Sequence, residues 1–437
     1  MARYGLIFVA AQALFVGHMR SADRVALTSE LIASYAEQAR THNVGLRAMA
    51  SRVQAGGFAV DAVRVWEDPT AKFGGGAATA RGPKLGEEGN LLYGIEQKLP
   101  LFGKARAARE VATRSLDLDR ANAEYAFVTL RREIAQTMLR AALAEATVQL
   151  GLQDVAQLEV WVSNAEKRYA AGTGSQIEIL RLQNESAKRA QDLKTREAER
   201  EHENFTLNRL RNLPLEVPVP RFDLPALAEA IPYSEALSDL ALRHEPRLNR
   251  MNQEARMAEA RVEYIRKQRL PDFTIGVEGR QYSGDAGLRQ GMLTLGLNLP
   301  WFNRKGYRSD LHREQATAEA ARFDVADYEL AVRQEVHLLT VRMDAARREA
   351  LTYAHEILPR SEQALQVASV GWVNNRGMFT DLMEARRMLL EARLMQARAI
   401  AEQYQMMSEL LLCCGLEDLE SLQNLRPKLP ASPAKSN

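Results

Sequence analysis

Apolar and polar positions change their period along this chain, and they do so twice in the same order. From Gly291 to Pro300, Leu293, Leu295, Leu297 and Leu299 alternate with Met292, Thr294, Gly296 and Asn298. Just before, Phe273, Ile275 and Val277 alternate with Thr274, Glu278 and Arg280. In the first half, Tyr93, Ile95 and Leu99 oppose Gly94, Glu96 and Lys98. A period of two predicts strands with one apolar and one polar face. A fourth strand, around Phe73, is glycine-rich and carries the weakest pattern.

Past Leu99-Pro100 and Leu299-Pro300 the period becomes seven. Phe127, Ile134, Ala141, Val148, Val155 and Val162 form one series. Ala318, Val325, Val332, Leu339, Ala346 and Tyr353 form the other, with Val336, Met343, Ala350 and Ile357 as a companion seam. Sustained spacing of seven predicts coiled-coil helices rather than a compact core. At 1.5 Å per residue each long helix would run roughly 100 Å. Turns at Gly172 to Gly174 and Asn374 to Gly377 lead into return helices of about 40 residues. Shorter helices, Val44 to about Trp66 and Pro246 to about Leu270, precede the strands. Pro100 and Pro300 cannot donate in a sheet ladder, and their fixed φ suits a helix start, so they mark strand-to-helix corners.

The order repeats because the chain is a tandem duplication. "HNVGLRAM" from His42 resembles "HEPRLNRM" from His244, 202 positions on. Pro69 pairs with Pro271, Leu99-Pro100 with Leu299-Pro300, and Gly174 with Gly377, at offsets of 202, 200 and 203. The Pro-rich stretch Asn212 to Pro232 reads as an extended linker. The expected organisation is a first repeat over 23–213, a linker over 214–232, a second repeat over 233–416 and a disordered tail over 417–437. Arg3 followed by an apolar run of about 13 residues fits a secretory signal over 1–22, cleaved after Ala22, and is too short to span a membrane.

Strands of about ten residues match a membrane-crossing β-strand. Four of them cannot close a barrel, and open sheet edges are not tolerated in lipid. Closure then needs other copies of the chain, and three copies would supply twelve strands. Leu293, Leu295 and Leu297 would face lipid and the polar face would line water.

Composition narrows the chemistry. With 58 Lys and Arg against 56 Asp and Glu, there is no basic field for nucleic acid. "LFGKAR" lacks the first glycine of a phosphate loop, since that position is Lys98. Gly74 to Gly76 open no dinucleotide motif. The seven histidines show no metal spacing, and Cys413 and Cys414 read as apolar helix positions. His42 and His244 occupy equivalent places and read as structural. Met378, Met383, Met388 and Met395 read as helix packing rather than a soft-metal path. No enzyme, cofactor or metal site is expected.

The duplication, "QKLPLFGK" and "NLPWFNRK" after the second strand of each repeat, and "RGMFTDLMEAR" at the second turn together resemble TolC-type outer-membrane efflux proteins. The resemblance covers nearly the whole mature chain. It implies a mainly α fold with a small β part: long α-barrel helices, and four strands per protomer in a trimeric twelve-stranded barrel. It further implies an outer-membrane location with the helical barrel in the periplasm. The implied partners are a periplasmic adaptor (membrane fusion) protein, an inner-membrane pump of the RND type and outer-membrane lipid. The family's acidic constriction at the periplasmic tip matches Asp381 and Glu384 here, three apart on one helix face. The first repeat has Glu178 but Arg181 in the corresponding region, so the acidic pair belongs to the second repeat. Arg376, in the turn, is the expected partner of the two acids.

The expected function is the exit duct of a tripartite efflux system, with a lean towards heavy-metal cations. Two alternatives stand beside it. One is the same duct serving type I protein secretion. The other is a soluble periplasmic coiled-coil scaffold, which explains the heptads but not the duplicated alternating strands.

Overall fold

The structure is a computed structural model of the chain and describes residues 24–77, 89–282 and 288–416. The expected signal segment and C-terminal tail lie outside the described residues. The elements are β1 (Arg24–Ala26), α1 (Ser29–His42), α2 (Val44–Asp61), β2 (Thr70–Ala77), β3 (Gly89–Leu99), α3 (Lys104–Ala170), α4 (Gln176–Leu210) and β4 (Arg221–Asp223). They continue with α5 (Glu235–His244), α6 (Pro246–Gln268), β5 (Phe273–Tyr282), β6 (Leu288–Leu297), α7 (Arg304–Thr352), α8 (Leu358–Val373) and α9 (Phe379–Cys414). The molecule is mainly helical, as the periodicity predicts.

The chain divides into two compact units that cut across the repeats. Among the described residues, one holds 24–47, 126–245 and 331–416; the other holds those within 48–125 and 246–330. Each unit thus takes the same part of both repeats, as expected when duplicated halves pack on each other.

The unit of 48–125 and 246–330 contains one antiparallel sheet in the order β2-β3-β5-β6. Two hairpins, one from each repeat, are joined by β3 and β5, and β2 and β6 are left as edges. The sheet does not close on itself. One row across it is apolar: Ile95 opposes Val277, which opposes Leu293. The next row is polar: Glu96, Gly276 and Thr294. Glycines alternate with large side chains on the polar face. A Cβ on Gly94 would lie 2.8 Å from the Val277 carbonyl oxygen, and one on Gly276 would lie 2.5 Å from the Thr294 hydroxyl. Glycine there lets neighbouring strands approach closely.

Both corners turn through short 3-10 segments. Pro100 precedes Leu101–Gly103, and Pro300 opens Pro300–Asn303. Phe102 and Gly103 take left-handed φ values of 61° and 70°, a sharp reversal into α3. Lys104, the first residue of α3, meets Asp272 at 2.8 Å, and Asp272 also accepts Lys98 at 3.5 Å.

The other unit is built on long helices. α3 runs 67 residues through Gly151 without a break. Ile134, Ala141 and Val148 are buried as the seven-residue series requires, but Val155 and Val162 are only half-buried. Leu158, Trp161 and Ala165 take their place in the core. The cause is geometric: a straight helix of 3.6 residues per turn drifts about 20° per heptad against a strict repeat of seven. In the second repeat Val332, Leu339 and Ala346 stay buried, with Val336, Met343 and Ala350 beside them. A single π turn, Tyr353–Ile357, then interrupts the helix just before Pro359. The ring has no N–H to give and cannot fit a regular ladder, so the helix widens there.

The Pro-rich linker is extended but not free. β4 pairs in parallel with β1, Arg221 opposite Arg24. The buried Asn208 amide donates to the Leu215 and Val217 carbonyls at 2.9 and 2.8 Å. Gln403, fully buried in α9, accepts from Ala228 N–H at 3.1 Å and donates to Ala228 C=O at 2.9 Å. Phe222 of β4 closes a core with Tyr35, Ala39, Ile134, Met138 and Leu207. The short helices α1 and α5 had no expectation from periodicity. Thr28 and Ser234 cap them, each accepting a backbone N–H with its hydroxyl. His42 and His244 lie in the last turns of these two helices.

Candidate channel-lining surfaces

Two places carry the residues singled out from the sequence: the sheet of one unit, and the paired helix turns of the other.

On the sheet, Leu293 and Leu295 are 72% and 74% exposed, and Phe73 is 82% exposed. Leu297, Ile95 and Val277 share this uncovered apolar face. A contiguous apolar face on a folded unit marks contact with lipid or protein. The opposite face is polar and internally paired. Lys72 of β2 meets Glu96 of β3 and lies 3.9 Å from Glu278 of β5. This three-strand ion cluster crosses over Gly94, where no side chain intervenes.

The helix turns are one turn written twice. In the first repeat the Arg168 carbonyl accepts the N–H groups of Thr173 and Gly174 at 2.9 and 3.0 Å. In the second, the Gly371 carbonyl accepts those of Arg376 and Gly377 at 2.8 and 2.9 Å. Gly172 has φ 73°, and Asn375, at the same place in the second turn, has φ 59°. The offset of 203 therefore pairs Arg168 with Gly371, Gly172 with Asn375, Glu178 with Asp381 and Arg181 with Glu384.

The two copies have diverged to fit each other. The Arg168 guanidinium reaches across to the second turn, donating to Asn375 Oδ1 through Nη2 at 2.6 Å and Nε at 3.2 Å. It stacks 4.5 Å over the buried Trp372 ring and meets Glu178 at 3.3 Å. Trp372 Nε1 donates to the same Glu178 carboxylate at 3.2 Å. Below lies an apolar core of Leu158, Trp161, Leu182, Trp372, Phe379 and Leu382.

Asp381 and Glu384 are both exposed on α9. Asp381 sits in the first turn, where the helix N-terminus favours a negative charge. Arg376 is exposed and forms no ion pair with either acid within the chain. Its backbone N–H closes the turn, and its side chain lies in solvent.

Deeper in, a charged network crosses three helices. Arg386 of α9 is 4% exposed and donates to both oxygens of Asp154 on α3, at 2.8 and 2.9 Å. It also donates to Glu185 of α4, which is shared with Arg189 at 2.9 Å. Burial alone would raise the Glu185 pKa; hydrogen bonds from Arg189 and Arg386 outweigh it and hold the carboxyl below its ordinary range. The sequence reading missed this network and the Arg168 cluster. Arg386 carried a signal: it sits in the buried stripe Phe379, Leu382, Ala385, Leu389, where an arginine needs partners.

Among the described residues no three His, Cys, Asp or Glu side chains are placed to hold a metal. Cys413 and Cys414 are buried, and burial pushes the Cys414 thiol up to about 12. Met378 and Met388 point to solvent, while Met383 packs at the tip core. No described helix is long and apolar enough to cross a membrane.

The outer membrane efflux protein family model matches two stretches, residues 35–212 and 237–415. The chain is 23% identical over 310 residues to the cobalt-zinc-cadmium resistance protein CzcC of Cupriavidus metallidurans, covering 70% of this chain and 72% of that one. It is 25% identical over 328 residues to the pyoverdine export outer membrane protein OpmQ of Pseudomonas putida, covering 73% and 68%. The outer-membrane channel OprN has the same fold, with a TM-score of 0.77 at 20% identity over 88% of this chain and 90% of that one. With both repeats matched across most of its length, this chain belongs to the outer membrane efflux protein family.

Proposed function

We propose that the chain is the exit duct of a tripartite efflux system, a homotrimer that passively conducts substrate out through the outer membrane. The observation that carries this is the four-stranded sheet. Its apolar face is uncovered, its polar face carries paired charges and close-packed glycines, and its two edges are open. Three copies joined β6 to β2 give twelve antiparallel strands with no edge left. Leu293, Leu295 and Leu297 then face lipid, and Lys72, Glu96 and Glu278 face water. The long helices would form the periplasmic barrel, docked on an adaptor protein and an RND-type inner-membrane pump.

In this reading Asp381 and Glu384 form a ring of six carboxylates at the periplasmic entrance. Such a ring favours cations. Arg376, in no ion pair among the described residues, is available to the neighbouring copy. The cargo we propose is heavy-metal cations, supported by the likeness to CzcC and by the exposed acids. Deleting the gene should lower tolerance to cobalt, zinc or cadmium; unchanged tolerance to all three would remove the metal assignment while leaving the duct.

The duct itself is tested by fractionation. The protein should partition with the outer membrane as a heat-sensitive trimer. A monodisperse soluble protein without detergent would contradict it.

A further inference from the structure

We propose that the acidic segment just past α9, residues 417–422, docks in an apolar groove between α1, α3 and α9 of its own chain. It would strap the end of the second repeat to the start of the first.

Three observations carry it. First, the groove is formed and open. Leu27, Ile32, Val128, Leu139 and Leu412 wall a space of about 660 Å³, and they come from both repeats. Apolar surface left open in this way marks a contact site. Second, the chain leaves α9 at the groove. Gly415 ends the helix in the left-handed region, at φ 61°, and the Leu416 N–H returns to the Leu411 carbonyl at 3.0 Å. Leu416 itself lines the groove. The exit is tightly held, since a Cβ on Gly415 would lie 2.7 Å from His244 Cβ and 2.8 Å from its carbonyl oxygen. Residue 417 thus starts about 3.8 Å along the backbone from the apolar wall. Third, the charges match. Arg131 and Arg132 stand in the wall. Arg132 donates from Nη1 to Glu409 at 2.9 Å, and its Nε is buried without an acceptor among the described residues. The segment brings Glu417, Asp418 and Glu420, while Leu419 and Leu422 continue a spacing of three from Leu416. On a helical turn, leucines three apart share a face. The chain before Leu27 also borders the groove, but it carries Arg20 and Arg24 against one acid, Asp23, and so brings like charge to the arginines.

The test uses the purified full-length protein with a photo-cross-linking residue, Leu419→p-benzoylphenylalanine or Leu422→p-benzoylphenylalanine, and Ala434→p-benzoylphenylalanine as the control. None of these substitutions touches the groove itself. Irradiation should join positions 419 and 422 to peptides from 27–32 or 128–139. Mass spectrometry should find these adducts in the band that runs as a single chain on a denaturing gel, and the control should not form them. Glu417→Lys with Asp418→Lys and Glu420→Lys, added to the Leu419 variant, should cut the yield about fivefold, the scale of losing exposed ion pairs. Adducts confined to a second copy, to detergent or lipid, or to another protein would overturn the proposal. So would the absence of adducts, or a yield that the charge reversal leaves unchanged.

Discussion

Glu178 and Asp381 occupy the same place in the two repeats, yet only Glu178 is held. It accepts from Trp372 at 3.2 Å and from Arg168 at 3.3 Å, whereas Asp381 is exposed and, among the described residues, accepts only from the Thr380 hydroxyl at 3.5 Å. One duplicated acid has become structural, and its twin is free to meet solvent or solute.

Neutralising the free acids should therefore act on permeation and not on folding. Asp381→Asn with Glu384→Gln should lower cation preference in reversal-potential measurements at normal trimer yield. Arg376→Ala removes a positive charge from the same turn and should shift the preference the other way. Glu178→Gln is no neutral control, because it weakens the contact to Arg168. Its expected effect is on thermal stability and open fraction.

The Arg386 network should reveal itself through stability. Arg386→Met leaves Asp154 buried without its main partner, at an expected cost of about 3–5 kcal/mol. Arg386→Met with Asp154→Leu should recover much of that loss in thermal or denaturant unfolding. Equal loss in the single and double variants would show that the pair is not what the substitutions remove.

Acid should loosen the same place. The Glu185 pKa is lower in the folded chain than its ordinary 4.5, so its contribution is fully present above that pH. The contribution is lost as pH falls through the lower folded value. Unfolding followed from pH 6 to pH 3 should show a steeper loss of stability for the parent than for Glu185→Gln.

The sheet faces separate by substitution. Leu295→Arg puts a charge on the uncovered apolar face, and near the middle of a bilayer that costs about 2–4 kcal/mol. Thr294→Arg lies on the polar face, should insert, and should alter conductance. Equal insertion of the two would mean that the faces are misassigned.

What was legible in the sequence was local. The strands, the corners at Pro100 and Pro300 and the long helices follow from spacing within a few residues. The groups that hold the turns together are far apart in sequence: Arg168 and Asn375 are 207 positions apart, and Asp154 and Arg386 are 232 apart. Periodicity carries no information about such pairs. Nearness in sequence points to Arg376 as the partner of the acids, whereas within the chain its side chain is exposed. Asp381 and Glu384 were legible only through the resemblance, and the alignment of the two turns now shows what sets Asp381 apart from Glu178. The strapping of the linker was hidden for another reason: Gln403 lies in a helix and serves the backbone of Ala228, to which no pattern points.

That strap gives a further expectation. Gln403→Leu leaves the buried Ala228 N–H without an acceptor, while Arg347 still serves the Ala228 carbonyl at 3.2 Å. The cost should be about 1–3 kcal/mol, read as a lower unfolding midpoint, with insertion of the sheet unaffected.

The most direct measurement is of the open edges. Cysteines placed along β2 and along β6 should cross-link between copies in outer-membrane vesicles, in antiparallel register, in a ladder that stops at three chains. Cross-links that stop at two chains, continue past three, or fail to form in membrane-inserted protein would contradict closure of the sheet by a homotrimer.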